Sequence, residues 1–331
     1  MATMGEFQLI NQYFASQTMQ RKDVLLGIGD DCAIVQPTLG KQIAVTTDTL
    51  VAGVHFPLTT APRAIGHKVL AVSLSDLAAV GAEPAWVSVA LTMPEVDHHW
   101  LAEFSAGLCE LCEFYNVQLI GGDTTKGPLS VTVTAQGLLP NDKYLTRSGA
   151  QKGDWIYVTG EIGDAALALQ NLLGHIAVED PFKHHIRNRL DFPKPRVLAG
   201  QILRDYATSA IDISDGLVAD LSHICEKSHV GAQLTVDDIP ISTIMRDSLP
   251  LDQAYQLALT GGDDYELLFT VSPDNQGGME TSMNNASIKV TCIGRIVAGE
   301  QVKLKLAGKW VEFRHEGYEH FAELHAESAD E

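Results

Sequence analysis

Aspartates set against apolar runs constrain this chain more than any other feature. In GIGDDCAIV, Gly27 to Val35, two glycines lead into Asp30 and Asp31, and an apolar stretch that reads as buried follows. Adjacent carboxylates repel each other, and burying them without a partner is costly. A fold built on this sequence must turn both into water or set something cationic on them.

The juxtaposition recurs. Asp48, Asp123, Asp212, Asp215, Asp263 and Asp264 fall at turns and element ends, most of them after apolar strand-like runs, and Asp76 falls within a helical segment. A single aspartate in such a place is an ordinary turn or N-cap residue. Several at strand ends, with glycine beside them, form a different pattern. Open α/β sheets bind ligands at strand ends, and glycine lets a backbone approach a ligand closely. Together with the hydroxyls of Thr46 and Thr47, the acids make a hard-oxygen donor set. Such a set suits Mg2+, which usually shares its shell with water and a substrate phosphate. Bound divalent cations would also remove the repulsion between clustered carboxylates.

The chain has 331 residues, and at roughly 150 residues per domain two domains are expected. The formal net charge is -19. A surface of that sign repels phosphate backbones, so no nucleic acid is expected as a partner. No apolar run reaches the length of a membrane span, and the polar start MATMGEFQLI is no export signal, so no membrane is expected either. Five cysteines, an odd and scattered set, fit free thiols in a reducing cytoplasm. Cys109 and Cys112 form a lone C-x-x-C on a helical pattern and read as packed thiols.

Strand and helix signals alternate through the first half. Residues 42–51 and 85–94 read as strands, 62–81 and 97–116 as helices, and 117–122 and 129–139 as strands around a loop, DTTKGP. A Gly/Lys/Gln turn before a new strand places a domain boundary near residue 150, giving domains 1–150 and 151–331. In the second half, a helix is expected over 164–173, irregular chain over 174–194, and a helix over 195–207. Residues 209–231 read as strand, aspartate-rich turn and helix with a glycine stop, and 254–271 as helix, Gly-Gly-Asp-Asp turn and strand. LIGGDTT and LTGGDDY form a weak internal echo, and the final residues read as disordered. No phosphate-binding G-x-x-x-x-G-K-[ST] loop and no complete G-x-G-x-x-G occurs. A phosphoryl-transfer enzyme built this way would hold its phosphates through metal bridges.

In order along the chain, GEF.LI (5–10), GIGDDCA (27–33), TTDTLVAGVHF (46–56), AVSLSDLAAVGAEP (71–84), LIGGDTT (119–125), LTRSGAQKGD (145–154), IDISDGL (211–217), GGDDYELLF (261–269) and GYEHF (317–321) resemble the thiamine-monophosphate kinase family. That family is grouped with aminoimidazole-ribonucleotide synthetase and selenophosphate synthetase. The resemblance implies a two-domain α/β (α+β) chain whose N-terminal domain pairs into a shared β-barrel in a homodimer. It implies an ATP-dependent phosphotransferase with a phosphate acceptor, thiamine monophosphate, and several Mg2+ ions. Carried over by motif, Asp31, Thr46, Thr47, Asp48, Asp76, Asp123, Asp212 and Asp215 would bind metal. Gly122, Asp123, Arg147 and Ser214 would contact ATP; His55, Asp263 and Tyr318 would contact the acceptor.

One position departs from the family pattern: Asp263 stands where the family carries Glu, one methylene longer, so the contact could be lost, bridged by water or passed to Asp264. No residue is expected to act as a base or covalent nucleophile. The alternatives are another ATP-dependent enzyme of the superfamily and a non-catalytic metal- or nucleotide-binding protein. Against the first, Cys32 lacks the glycine-rich setting of a selenophosphate synthetase cysteine, and HAESADE carries no terminal cysteine of the hydrogenase-maturation type.

Overall fold

The computed structural model describes residues 6–15 and 20–311. Tyr318 and the C-terminal residues read as disordered lie outside the described residues. The N-terminal half runs α1 (Glu6–Tyr13), β1 (Val24–Leu26), β2 (Ile34–Val35), β3 (Lys41–Val51), α2 (Pro62–Ala79), β4 (Glu83–Met93), α3 (His98–Tyr115), β5 (Gln118–Lys126) and β6 (Ser130–Pro140). The C-terminal half continues with β7 (Trp155–Thr159), α4 (Asp164–Leu172), α5 (Asp180–Asp191), α6 (Val197–Leu203), β8 (Ala207–Asp212), α7 (Leu217–Ser228) and β9 (Gly231–Thr235). It ends with α8 (Thr243–Ser248), α9 (Leu251–Thr260), β10 (Leu267–Val271), α10 (Gln276–Asn285), β11 (Val290–Val297), β12 (Val302–Leu306) and β13 (Lys309–Val311).

Among the described residues the first half forms a four-stranded sheet, β3-β6-β4-β5, antiparallel except for β4 and β5. The second half forms a seven-stranded sheet, β13-β12-β9-β11-β7-β10-β8, antiparallel except for β12 and β9. The architecture is thus mixed α/β in two halves. Strand β10 shows why both faces of the larger sheet are covered. Its run LLFTV is buried throughout, with Leu268 in one core and Leu267, Phe269 and Val271 in another. A strand buried on both faces reads as a continuous apolar run rather than an alternating one.

Helix α2 joins the halves. Pro62 presets its first turn. It packs on α3 and the N-terminal sheet and also against α6 and β8. Ala78 and Ala79 at its end belong to the same buried cluster as Leu203, Phe269 and Met279 of the second half. Helix α3 starts at Asp97, whose carboxylate accepts the His99 and Trp100 N–H groups at 2.8 and 3.1 Å, and stops at Asn116 in the left-handed region.

Several elements differ from the sequence expectation. Residues 180–191 form α5 rather than irregular chain. The helix buries only Ile186, Leu190 and Asp191, too narrow an apolar stripe to announce itself, and the Arg187–Asp191 ion pair helps hold its last turn. Strand β5 continues through DTTK because each residue pairs with β4. Helix α7 stops at His229, φ 54°, before the expected glycine. The Gly-Gly-Asp echo joins unlike places: one copy lies inside β5, the other follows α9. Among the described residues no helix is long and apolar enough to cross a membrane.

Candidate active site

The alternation of a β-strand sorts the TTD motif. Successive side chains on β3 point to opposite faces. Thr46 and Asp48 face α2, whereas the Thr47 hydroxyl pairs with that of Thr134 at 3.0 Å on the outer face. Asp48 and Asp123 therefore do not stand at strand ends as expected; both sit within long strands. Only Asp212 closes its strand.

Three acids meet where β3, α2 and β8 converge. The Thr46 hydroxyl donates to Asp76, the Ser73 hydroxyl to Asp48 at 2.7 Å, and the Ser75 hydroxyl, across the two halves, to Asp212 at 2.7 Å. Burial, and then the Asp76 charge, push the Asp48 carboxyl up to about 6. Burial followed by the Asp76 charge takes Asp212 up to about 7. Burial raises Asp76 as well, while the Thr46 hydroxyl and the Arg147 guanidinium oppose the rise. The hydroxyl hydrogen bonds oppose these rises first; Arg147 adds a smaller opposing charge at Asp76 and Asp212, and Asp48 has only the Ser73 hydroxyl.

This donor set fits Mg2+: carboxylate and hydroxyl oxygens, partly dry and short of positive charge. Among the described residues no three His, Cys, Asp or Glu side chains already form a cage. An octahedral ion held here would complete its shell with water and phosphate oxygens, the usual habit of Mg2+.

A cavity of about 930 Å³ opens beside the cluster, between the halves. Asp48, His55 and Lys68 line it from the first half, and Ser214, Asp215 and Asp263 from the second. Two turns from the second half are stacked to form its wall. The Asp263 N–H donates to the Ser214 carbonyl at 3.0 Å and the Tyr265 N–H to the Ile213 carbonyl at 2.9 Å. A Cβ on Gly262 would lie 2.2 Å from the Ser214 carbonyl oxygen, so only glycine permits this approach. His55 accepts the Val51 N–H at Nδ1, 3.0 Å away.

Asp263 and Asp264 have separate environments. Asp263 reaches the cavity and pairs with Lys68 at 3.0 Å. Asp264 is buried and accepts the Gly163 N–H with both oxygens, at 3.0 and 2.9 Å. The geometry gives Asp264 an internal partner and leaves Asp263 as the acid facing the cavity.

Two residues were missed by sequence reasoning. Asp220 accepts the N–H groups of Ser214, Asp215 and Gly216 with one oxygen, at 3.1, 3.2 and 3.2 Å, and so fixes the turn that carries Ser214 and Asp215. Burial, then the Asp212 and Asp215 charges, push its carboxyl up to about 8. An acid in the first turn of the helix after IDISDG was the available signal. Lys68, a cation inside the apolar run AIGHKVLAV, was the other.

A second cavity of about 620 Å³ lies in the N-terminal half, with Asp30, Asp31, Gly122, Asp123 and Thr124 on its wall. At Gly122, φ +156°, a Cβ would lie 1.9 Å from the Val89 carbonyl oxygen. Asp30 and Asp31 both face water, and Asp30 accepts the Asp31 N–H at 2.9 Å. The following segment is not buried as it read: Ile34 is 51% exposed. The four residues expected to contact ATP are thus not in one place. Gly122 and Asp123 share this cavity, Arg147 acts on Asp76 and Asp212, and Ser214 lines the larger cavity.

Residues 29–139 match the AIR synthase related protein, N-terminal domain, and residues 151–307 match the corresponding C-terminal domain. Thiamine-monophosphate kinase of Escherichia coli K12 is 46% identical over 325 residues, covering 96% of this chain and 98% of that protein. The crystal structure of thiamine-monophosphate kinase from Stenotrophomonas maltophilia superposes with a TM-score of 0.85 at 44% identity, over 93% of this chain and 98% of that one. A structure described as AaThiL complexed with AMPPCP and TMP superposes with a TM-score of 0.75 at 32% identity, over 96% and 97% of the two chains.

Proposed function

The chain belongs to the thiamine-monophosphate kinase family, and from that premise we propose that it transfers the terminal phosphoryl group of ATP to thiamine monophosphate, giving thiamine diphosphate and ADP, the last step in making that cofactor. The observation that carries this reading is the cavity between the halves, which meets the acid cluster at Asp48 and has Asp215, Asp263 and His55 elsewhere on its wall. Its volume lies in the range that encloses a small organic ligand. The relative with an ATP analogue and TMP bound, 32% identical over nearly the whole chain, supports the pairing of substrates.

The acceptor is itself a phosphate. Its second pKa is about 6, so it is mostly ionised at neutral pH and needs no strong base. No side chain is assigned as base or nucleophile, and the transfer is direct and in line. The difficulty is electrostatic, because two anions must approach each other. Asp48, Asp76, Asp212 and Asp215 would hold Mg2+ on the larger cavity's side, and Asp31 and Asp123 on the side of the smaller one. Bound Mg2+ supplies screening of the phosphates and stabilises the charge on the transferring group. Arg147 adds a fixed positive charge beside Asp76 and Asp212. Gly122 and Asp123 support the nucleotide and Ser214 meets it from the other half. Thr46 and Thr47 contribute through opposite faces of β3.

The functional division falls near residue 150, between β6 and β7. We place the chain in the cytoplasm as a homodimer joined through the N-terminal halves. Support for the dimer comes from β3, an edge strand whose Ile43 and Val45 are exposed, near 45% and 63%. A long apolar edge left in water invites pairing with another strand.

The test is ADP release across a panel of phosphate acceptors. Release should require both Mg2+ and thiamine monophosphate. Equal release with unrelated monophosphates, or with no acceptor, would overturn the reading.

A further inference from the structure

Lys68 carries a charge where charge is costly to place. It projects from α2 with 4% of its surface exposed, it lines the 930 Å³ cavity, and its ammonium lies against Asp263, another lining residue. Among the described residues lining that cavity it is the one lysine or arginine, set among Asp48, Asp191, Asp215 and Asp263. Its partner, Asp263, is aimed with some effort. The Asp263 backbone is left-handed at φ 67°, and so is that of Tyr265 at φ 51°, a conformation that non-glycine residues adopt at a cost. The Tyr265 hydroxyl donates to Asp263 Oδ1 at 2.8 Å, while Lys68 Nζ lies 3.0 Å from Oδ2.

A buried ion pair adds little stability over apolar side chains of similar size. A strained turn that serves one is therefore a feature worth relating to the ligand. What the pair supplies is one positive and one negative charge, side by side, facing an enclosed space. A ligand bearing only a cation would take the partly exposed Asp263 and leave Lys68 buried alone, and one bearing only an anion would take Lys68 and leave Asp263 without its counter-charge. A ligand bearing both can exchange partners with the pair and leave no charge unmatched.

We propose that Lys68 is a specificity-determining residue for the acceptor: the Lys68–Asp263 pair is a preformed receptor for a zwitterion, with the acceptor's phosphate taking Lys68 and its cationic ring taking Asp263. The inference rests on the acceptor reading above and deepens it. Lys68 then reads the phosphate independently of any metal, and Asp263, one methylene shorter than Glu, is aimed at the ring by the Tyr265 hydroxyl, which still holds it when Lys68 turns to the phosphate.

The experiment measures KM for thiamine monophosphate and for ATP, and the inhibition constant of thiamine, which has the cation without the phosphate. Lys68→Met should raise the thiamine-monophosphate KM about tenfold or more while the ATP KM stays within about twofold. Thiamine should inhibit this variant at least as well as wild type, because Asp263 is released from Lys68. Lys68→Arg should restore the acceptor KM to within a few-fold. If Lys68→Met does not fold, Lys68→Met/Asp263→Asn removes both charges together and should show weakened binding of both thiamine monophosphate and thiamine. An unchanged acceptor KM in the folded variant, or thiamine and ATP weakened alongside it in Lys68→Met, overturns the inference. Wild-type protein that releases no ADP with thiamine monophosphate overturns the acceptor reading itself, a result distinct from turnover that ignores Lys68.

Discussion

Asp212 and Glu266 are buried acids at the joined ends of two paired strands, one closing β8 and the other just before β10, and they are provided for in opposite ways. Leu267, next to Glu266, pairs directly with Asp212 across β8 and β10, and both acids are nearly inaccessible, at 4% and 1%. Glu266 accepts the Thr159 hydroxyl at 2.6 Å, a guanidinium N–H of Arg189 at 3.0 Å and Arg196 Nε at 2.6 Å. Asp212 has one serine hydroxyl, with Asp76 as its nearer like charge and Arg147 as a weaker opposing one that forms no ion pair with it. The first acid is completed by the chain. The second, on the function proposed above, would be completed by a bound cation. Burial alone therefore does not mark a functional acid; a buried acid clustered with other acids and left without a paired cation is the better candidate.

The largest effect that separates the two is on stability. Glu266→Gln leaves two guanidinium groups without their shared counter-charge, and removing one partner of a buried pair costs about 3–5 kcal/mol. Urea unfolding should show that loss, with the acceptor KM of the folded fraction little changed. Asp212→Asn should do the reverse. Turnover should fall by about a hundredfold to a thousandfold, while the melting temperature measured without Mg2+ holds or rises, because an amide relieves the repulsion. If Asp212→Asn unfolds the protein and Glu266→Gln selectively loses turnover, the distinction is wrong. Asp48→Asn should behave like Asp212→Asn.

A smaller effect sharpens the role of the neighbouring turn. Asp263→Ala should raise the thiamine-monophosphate KM by about tenfold to a hundredfold, the cost of a lost hydrogen bond to a charged group. The ATP KM should move less, and Asp263→Glu should keep or improve binding. A larger rise for ATP would assign the turn to the nucleotide.

The smallest effect is a pH dependence. Asp48 and Asp212 titrate near 6 and 7 in the folded chain, above the ordinary 3.8. Between about pH 4 and about pH 7 the folded state thus binds more protons than the unfolded one, and these groups make stability without metal fall as pH rises. Mg2+ binds the ionised form, so the rise in melting temperature on adding Mg2+ should be greater at about pH 8 than at about pH 5. An equal rise at both would mean that these carboxyls do not hold the ion.

Much of this contrast was legible in the sequence. The long apolar segments gave α2 and α3 nearly to their ends, α3 through a repeating apolar face and α2 through a proline start, a glycine stop and an apolar run buried on most sides. Helix α5 was not legible, since two buried aliphatic side chains make no stripe. The motifs located Asp48, Asp76 and Asp212, but linear order could not show that Thr46 and Thr47 face apart, or that Asp263 and Asp264 point to different partners. Strand alternation and two left-handed residues decide those points. Lys68 stayed hidden because a single cation in an apolar helix is indistinguishable in sequence from a snorkelling surface lysine. Only the fold shows its ammonium against a cavity.

The most direct measurement is cation binding itself. Mn2+, as a paramagnetic stand-in for Mg2+, would be titrated into wild type, Asp212→Asn and Glu266→Gln with a non-hydrolysable ATP analogue present, and bound ions counted by electron paramagnetic resonance. The account predicts that wild type and folded Glu266→Gln bind the same number of ions beyond the nucleotide alone, and that Asp212→Asn binds fewer or binds them more weakly. An Asp212→Asn chain that holds as many ions as tightly as wild type would contradict it.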